Sequence, residues 1–147
     1  MIIFDLDGTL CDIEHRRHLV TAPRSDWTAF YKACVQDTPK PAVLKVLYSM
    51  VRTNHEVQIW SGREESVRKE TRHWFLKHAP YIDSYGILLR MRATGDYTPD
   101  DELKMKWLDE ALANGRKIDI VFDDRDKVVA MWRRRGITCA QVAPGDF

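Results

Sequence analysis

Three clusters and one lysine in this chain combine carboxylate, hydroxyl and cationic groups at spacings that could do chemistry. The first cluster is Asp5-Leu6-Asp7-Gly8-Thr9, directly behind the apolar run Met1 to Phe4. Two residues apart on extended backbone, Asp5 and Asp7 project to one side, and Gly8 permits a sharp exit from the strand. Two carboxylates held close cannot both ionise cheaply unless a cation sits between them. Asp123-Asp124 follow another apolar run. If both acidic pairs meet, a hard divalent ion is the physical remedy, and all-oxygen ligands select magnesium over zinc. Aspartates also cap helices and form turns, which is the reading for Asp119 and Asp126. For Asp5 and Asp7 the motif, the flanking strand and the second acidic pair agree on a site.

Ser61-Gly62-Arg63 follows the run Val57 to Trp60. Placed where a strand turns into a helix, it would offer free N–H groups, a hydroxyl and a guanidinium to an anion. A Ser/Gly cap with a surface arginine fits the same residues. Lys104 lies on the stripe Leu103, Trp107, Leu108, Ala111, Leu112, one turn before Leu108 and so on the inward side. An inward lysine needs an anionic partner, and Asp100, four residues earlier, could steer it. The alternative is a lysine snorkelling from the edge of the stripe. Lys106, about 200° further round the helix, points to solvent.

These groups act together only if the elements around them bring them to one place. Strand-length apolar runs occur at Met1 to Phe4, Val57 to Trp60, Gly86 to Leu89, Ile118 to Phe122 and Ile137 to Val142, and their near-continuous apolarity suits parallel strands buried on both faces. Helical patterns lie between them. Thr38-Pro39 reads as N-cap and first residue of one helix, Glu64 to His78 as a second, and Thr98-Pro99 opens a third, ended by Gly115. Asp126 to Arg135 forms a fourth, ended by Gly136. This alternation predicts an α/β fold: a Rossmann-like open parallel sheet of about five strands with helices on both faces. Cys11 to Thr38 forms a small helical insert after strand one, with Ser25 to Val35 helical. In such a sheet ligands bind beyond the carboxyl ends of the strands, where all the clusters above fall. No linker or repeat divides the chain, so residues 1–147 read as one domain.

Composition narrows the function classes. The 147 residues carry 23 basic and 22 acidic side chains, a net charge of +1, with 44% hydrophobic and 31% charged residues. This is an ordinary globular composition with no broad basic field for coating nucleic acid. Cys11, Cys34 and Cys139 are odd in number and form no CxxC pair, which argues against a disulfide framework and for a reducing compartment, the cytoplasm. The first strand run starts at Ile2, leaving no room for a signal peptide, and no apolar run is long enough to span a membrane. His15-Arg16-Arg17-His18 lacks the flanking ligands of a zinc site. Arg133-Arg134-Arg135 closes a helix, where basic residues complement the dipole. Trp60, Trp74, Trp107 and Trp132 fall on core positions. Trp27 and Tyr31, in the insert, fit base stacking or core equally.

In this order and spacing, IIFDLDGTL, IWSGR, the inward lysine and IVFDDRD resemble the four motifs of the haloacid dehalogenase superfamily of phosphotransferases. SGRE, GDYTPDDELK and the tail from Phe122 to Phe147 resemble more narrowly the 3′-phosphatase domain of the bacteriophage T4-type polynucleotide kinase/phosphatase. No GxxxxGK[ST] kinase motif is present, so neither 5′-phosphorylation nor a nucleotide cofactor is expected. The resemblance implies that Asp5 is the nucleophile, forming an aspartyl-phosphate. It implies that Asp7 protonates the leaving hydroxyl and then activates water. Mg2+ would be held by Asp5, the Asp7 backbone carbonyl and Asp123, supported by Asp124. Ser61 and Lys104 would hold the phosphoryl oxygens, with Lys104 oriented by Asp100. Arg63, Arg16 and Arg92, beside Gly62, would grip the phosphate or the adjoining nucleotide.

The implied partners are 3′-phosphorylated DNA or RNA ends, with no membrane; a homo-oligomer is compatible with this. The insert is too short to be a closing cap domain (domains average ~100–150 residues), and an open site suits the end of a polymer. Two other readings share these residues: a nucleotidase-like phosphatase of small molecules, and a module that binds nucleic-acid ends without turnover.

Overall fold

The computed structural model describes residues 1–21 and 23–146. Ala22, within the insert, and Phe147, the last residue of the matched tail, lie outside the described residues. The elements in chain order are β1 (Ile2–Phe4), β2 (Cys11–Asp12), α1 (Glu14–Thr21), α2 (Trp27–Lys32), a 3₁₀ turn (Ala33–Gln36), β3 (Thr38–Pro39), α3 (Pro41–Arg52) and β4 (Val57–Glu64). A second 3₁₀ turn (Glu65–Val67), α4 (Arg68–His78), α5 (Tyr81–Ser84), β5 (Leu88–Arg92), α6 (Asp100–Ala113), β6 (Ile120–Asp123), α7 (Asp126–Arg134) and β7 (Cys139–Gln141) follow. The main sheet has the order β5-β4-β1-β6-β7, and every neighbouring pair in it is parallel.

The alternation of side chains along β1 sorts the core. Ile2 and Phe4 face one side with Val57, Ile59, Leu44, Leu47 and Trp74, covered by α3 and α4. Ile3 faces the other with Trp60, Val121, Leu108 and Trp132, covered by α6 and α7. On the first side Phe4 stacks on Phe122 at 4.5 Å between ring centroids. On the second Trp60 meets Trp107 edge-on at 5.9 Å. The sheet is thus buried on both faces, as the apolar runs predict, and Trp60, Trp74, Trp107 and Trp132 are all core residues. From β1 the chain crosses to β4 on one side, then returns to β6 on the other. The carboxyl ends of β1, β4 and β6 therefore meet at the point where strand order reverses, the general ligand crevice of such sheets.

Several boundaries differ from the sequence reading. Thr38-Pro39 is not a helix start but pairs antiparallel with Cys11-Asp12. The helix opens instead at Pro41, after Lys40, and the third opens at Asp100, with Pro99 as its N-cap. The strand expected at Gly86 to Leu89 runs over Leu88–Arg92. Most consequential, β4 does not stop at Trp60. Its pairing with β5 continues through Ser61 opposite Met91 and Glu64 opposite Arg92, with a register shift between. Ser61-Gly62-Arg63 therefore lies on strand, and α4 starts only at Arg68, so no helix N-terminus stands at this motif. Among the described residues the three cysteines are free and buried, and no helix is long and apolar enough to cross a membrane.

Candidate active site

Asp5 leaves β1 with its backbone N–H bonded to Phe122 O, which locks it beside the end of β6. Asp123 ends β6 and Asp124 follows it directly. Asp5, Asp123 and Asp124 each offer a carboxylate oxygen within 4.8 Å of the others, and all three are buried. Lys104, on the first turns of α6, reaches between two of them: its Nζ donates to Asp5 Oδ1 at 2.7 Å and to Asp123 Oδ2 at 2.8 Å. Its inward placement is thus realised, with two carboxylates as its partners. Asp123 is fixed from several directions, accepting from the N–H groups of Asp124 and Arg125 and from the Trp132 indole. Trp132 is therefore both core and support.

Burial pushes the Asp5 carboxyl well up, countered by Lys104 and reinforced by Asp123 and Asp124. Burial and the neighbouring Asp123 carry Asp124 to about 7. Burial would strip the proton from Lys104, but Asp123 and Asp5 reverse this and raise its pKa. Three carboxylates thus share one buried ammonium, a donor set short of positive charge. Its all-oxygen character fits a magnesium ion. The backbone is shaped to keep Asp124 there: at Gly8 (φ +83°) a Cβ would come within 2.0 Å of Asp124 Oδ2, so only glycine passes. Thr9 Oγ1 donates to Asp124 Oδ1 at 3.2 Å.

The fourth carboxylate does not join this cluster. Asp7 turns toward two arginines expected to hold phosphate. Arg63 Nε donates to Asp7 Oδ1 at 2.7 Å and Arg16 Nη2 donates to the same oxygen at 2.8 Å. Burial would raise the Asp7 pKa, but the guanidinium groups of Arg63 and Arg16 outweigh it and hold it at about 2. Behind them sits Asp37, which sequence reasoning missed. It accepts from Arg16 Nε and Nη2, both at 2.7 Å, from Arg63 Nη2, and bonds His15 Nε2 at 2.8 Å. Arg16 and Arg63 are wholly buried. They position Asp7 and are not placed on an open phosphate cradle. Buried charges are paired, but the pairing joins residues far apart in the chain and no local pattern announces it.

Asp100 and Arg92 also depart from expectation. Asp100 pairs its carboxylate with Arg92 and Arg125, while its charge still acts on Lys104. Arg92 is committed to the loop ahead of α6, donating to the carbonyls of Gly62, Asp96 and Thr98. Together they clamp that loop to β4. Gly62 fits beneath the clamp: a Cβ there would lie 2.7 Å from Asp100 Oδ1. Ser61 is fully buried, its Oγ accepting from the Arg63 N–H at 3.2 Å. The carboxylates Asp5 and Asp7 open onto a cleft of about 300 Å³ that Trp27, Tyr31 and Tyr97 also line.

A parallel sheet of this order, with acidic groups and a lysine gathered beyond β1 and β6, is the architecture of haloacid-dehalogenase-type domains. Within that class the chain belongs to the family of the polynucleotide kinase PNKP phosphatase domain, which it matches over residues 1–147. It is similar to a chain in the solved structure of a Pnkp1/Rnl/Hen1 complex, with 34% identity, a TM-score of 0.78, and coverage of 99% of this chain and 46% of that one. A chain in the structure of the Pnkp1/Rnl/Hen1 RNA repair complex is 32% identical with a TM-score of 0.78, covering 99% and 43%. A candidate bifunctional polynucleotide kinase/RNA ligase of Autographa californica nuclear polyhedrosis virus is 27% identical over 133 residues, 90% of this chain and 17% of that protein. The chain thus spans less than half the length of these relatives.

Proposed function

We propose that this chain, read as one domain, is a magnesium-dependent phosphatase that removes the 3′-phosphate from DNA or RNA ends through an aspartyl-phosphate on Asp5. The observation that carries this is Lys104 bound to both Asp5 and Asp123 inside a cluster of three buried carboxylates. The family match supports a phosphatase, and the RNA repair complex among its structural relatives supports a nucleic-acid end as substrate.

Asp5 attacks phosphorus with one carboxylate oxygen while Lys104 holds the carboxylate's orientation and meets the charge of the transferring group. Positioned cations aimed at those oxygens supply most of the stabilisation in phosphoryl transfer. Asp5, Asp123 and Asp124, with the Asp7 backbone carbonyl, would hold magnesium, which supplies further positive charge to the phosphoryl oxygens. Asp7 is held ionised by Arg16 and Arg63, the state that accepts a proton from the water hydrolysing the acyl phosphate. For it to protonate the leaving 3′-oxygen first, its grip on the two arginines must loosen when substrate binds. Covalent catalysis thereby divides one displacement into two steps served by one acid/base. Ser61 is fully buried and does not line the cleft, so to donate its hydroxyl to the phosphoryl group it must be uncovered when substrate binds.

The test is phosphate release with magnesium from a 3′-phosphorylated oligonucleotide, its 5′-phosphorylated twin and a free mononucleotide. Preference for the first supports the proposal; equal rates on all three remove end-specificity.

A further inference from the structure

The cleft that opens onto Asp5 and Asp7 has two chemically distinct parts. One is charged, lined by Glu64, Asp96, Asp100 and Asp101 together with Arg92, Arg125 and Lys127; the other is an apolar wall of Ile13, Val20, Trp27, Phe30 and Tyr31 contributed by the insert. Tyr97, from the loop ahead of α6, lines the same cleft and is 87% exposed, while Trp27 is 42% exposed. Large aromatics are costly to leave in water, and an apolar patch beside a polar reaction centre marks a binding surface. The wall is rigid. Trp27 packs against Phe30 at 5.7 Å and Tyr31 at 6.0 Å between centroids. Phe30 lies under the buried Arg16 guanidinium at 4.1 Å. Tyr31 donates its hydroxyl to Gly62 O at 3.4 Å, tying α2 to the active-site end of β4. The helix that presents Trp27 is thus fixed to the same network that holds Asp7, and such pre-organisation lowers the cost of binding.

We propose that Trp27 and Tyr97 form a base-binding subsite that takes the nucleobase of the terminal nucleotide whose 3′-phosphate is removed. This rests on the phosphatase reading above and adds to it what the enzyme recognises beyond the phosphate. A neutral base offers a π-face to the aromatic wall and needs no ion pair with the charged part of the cleft. The cleft's volume of about 300 Å³ sits at the lower end of ligand pockets. Stacking tolerates any base, so the subsite senses the presence of a base more than its identity.

The experiment compares magnesium-dependent phosphate release from two oligonucleotides, one with an ordinary 3′-phosphorylated terminal nucleotide and one whose 3′-phosphorylated terminal residue is abasic. Wild-type protein should favour the base-bearing end by roughly 5- to 150-fold in kcat/KM, the range that base–aromatic stacking gives. Trp27→Ala and Tyr97→Ala together should collapse that ratio toward one, with thermal melting reporting that the double variant is folded. Trp27→Phe alone should keep most of the wild-type ratio. Equal wild-type rates on the two oligonucleotides, or a ratio unchanged in the folded double variant, overturn the subsite and leave the phosphatase reading standing. No release from either oligonucleotide, with release from β-glycerophosphate, overturns the nucleic-acid reading and the subsite with it.

Discussion

Replacing Asp37 by Asn tests the charge balance under the site without changing side-chain shape. Asp37 and Asp7 together neutralise Arg16 and Arg63, all but Asp7 with side chains at 0% exposure and Asp7 at 19%. Asn at this position removes one of the two negative charges and turns an amide N–H₂ toward guanidinium donors. Breaking a buried pair by removing one partner costs about 3–5 kcal/mol, because a charge is left buried without compensation. Domains have about 5–15 kcal/mol in total, and near this size each 1 kcal/mol shifts Tm by about 2–4 °C. Thermal melting should therefore show a fall of roughly 6–20 °C. Adding Arg16→Met to Asp37→Asn restores one cation to one carboxylate, and the pair should be less destabilising than the sum of the single changes. A fall under about 2 °C, or strict additivity, would refute the claim that Asp37 holds the two arginines.

Four further outcomes follow from the same geometry. Asp5→Asn should abolish phosphate release in steady-state assays while circular dichroism stays native. Lys104→Ala should lower kcat by at least ~100-fold, as loss of one oxyanion donor does, whereas the exposed Lys106→Ala changes it little; comparable losses at both would mean Lys104 is not the inward cation. In the metal-free protein, Asp5 and Asp124 hold protons in the folded state that the unfolded chain releases near the ordinary carboxylate value, Asp124 up to about 7. Their contribution to stability is present below pH ~4 and is lost as pH rises, for Asp124 toward 7. Asp7, held at about 2, contributes in the opposite sense, its stability present above pH ~4 and lost below it. Melting with a chelator should thus show Tm falling between pH 4 and 7, and magnesium, by binding the folded cluster, should flatten that slope.

Asp5, Lys104, Asp123 and Asp124 were legible because each stands next to a periodic apolar signal: directly after a buried strand, or on the inward stripe of a helix. The sheet was legible for the same reason, since a run such as Met1 to Phe4 has no polar positions to suggest anything but double burial. The insert was not. In α1 (EHRRHLVT) the fully buried residue is Arg16, so the helix carries a charge where an apolar stripe would announce it. Asp37 sits between a 3₁₀ turn and a two-residue strand, and its role depends on Arg63, far away in sequence. The extension of β4 through Ser61-Gly62-Arg63 depends on pairing with β5, a long-range contact that local pattern does not encode. The pairing of Asp100 with Arg92 and Arg125 is likewise tertiary: intrahelical spacing pointed to Lys104, and the end of β5 and the turn after β6 supplied two arginines.

The central claim is that Asp5 captures phosphorus. Rapid quenching of protein mixed with magnesium and an oligonucleotide bearing a radiolabelled 3′-phosphate tests it most directly. Label retained on the chain, released by hydroxylamine and mapped to Asp5 by peptide sequencing, is the predicted result. Label on a different residue, or full turnover by Asp5→Asn protein, would contradict it.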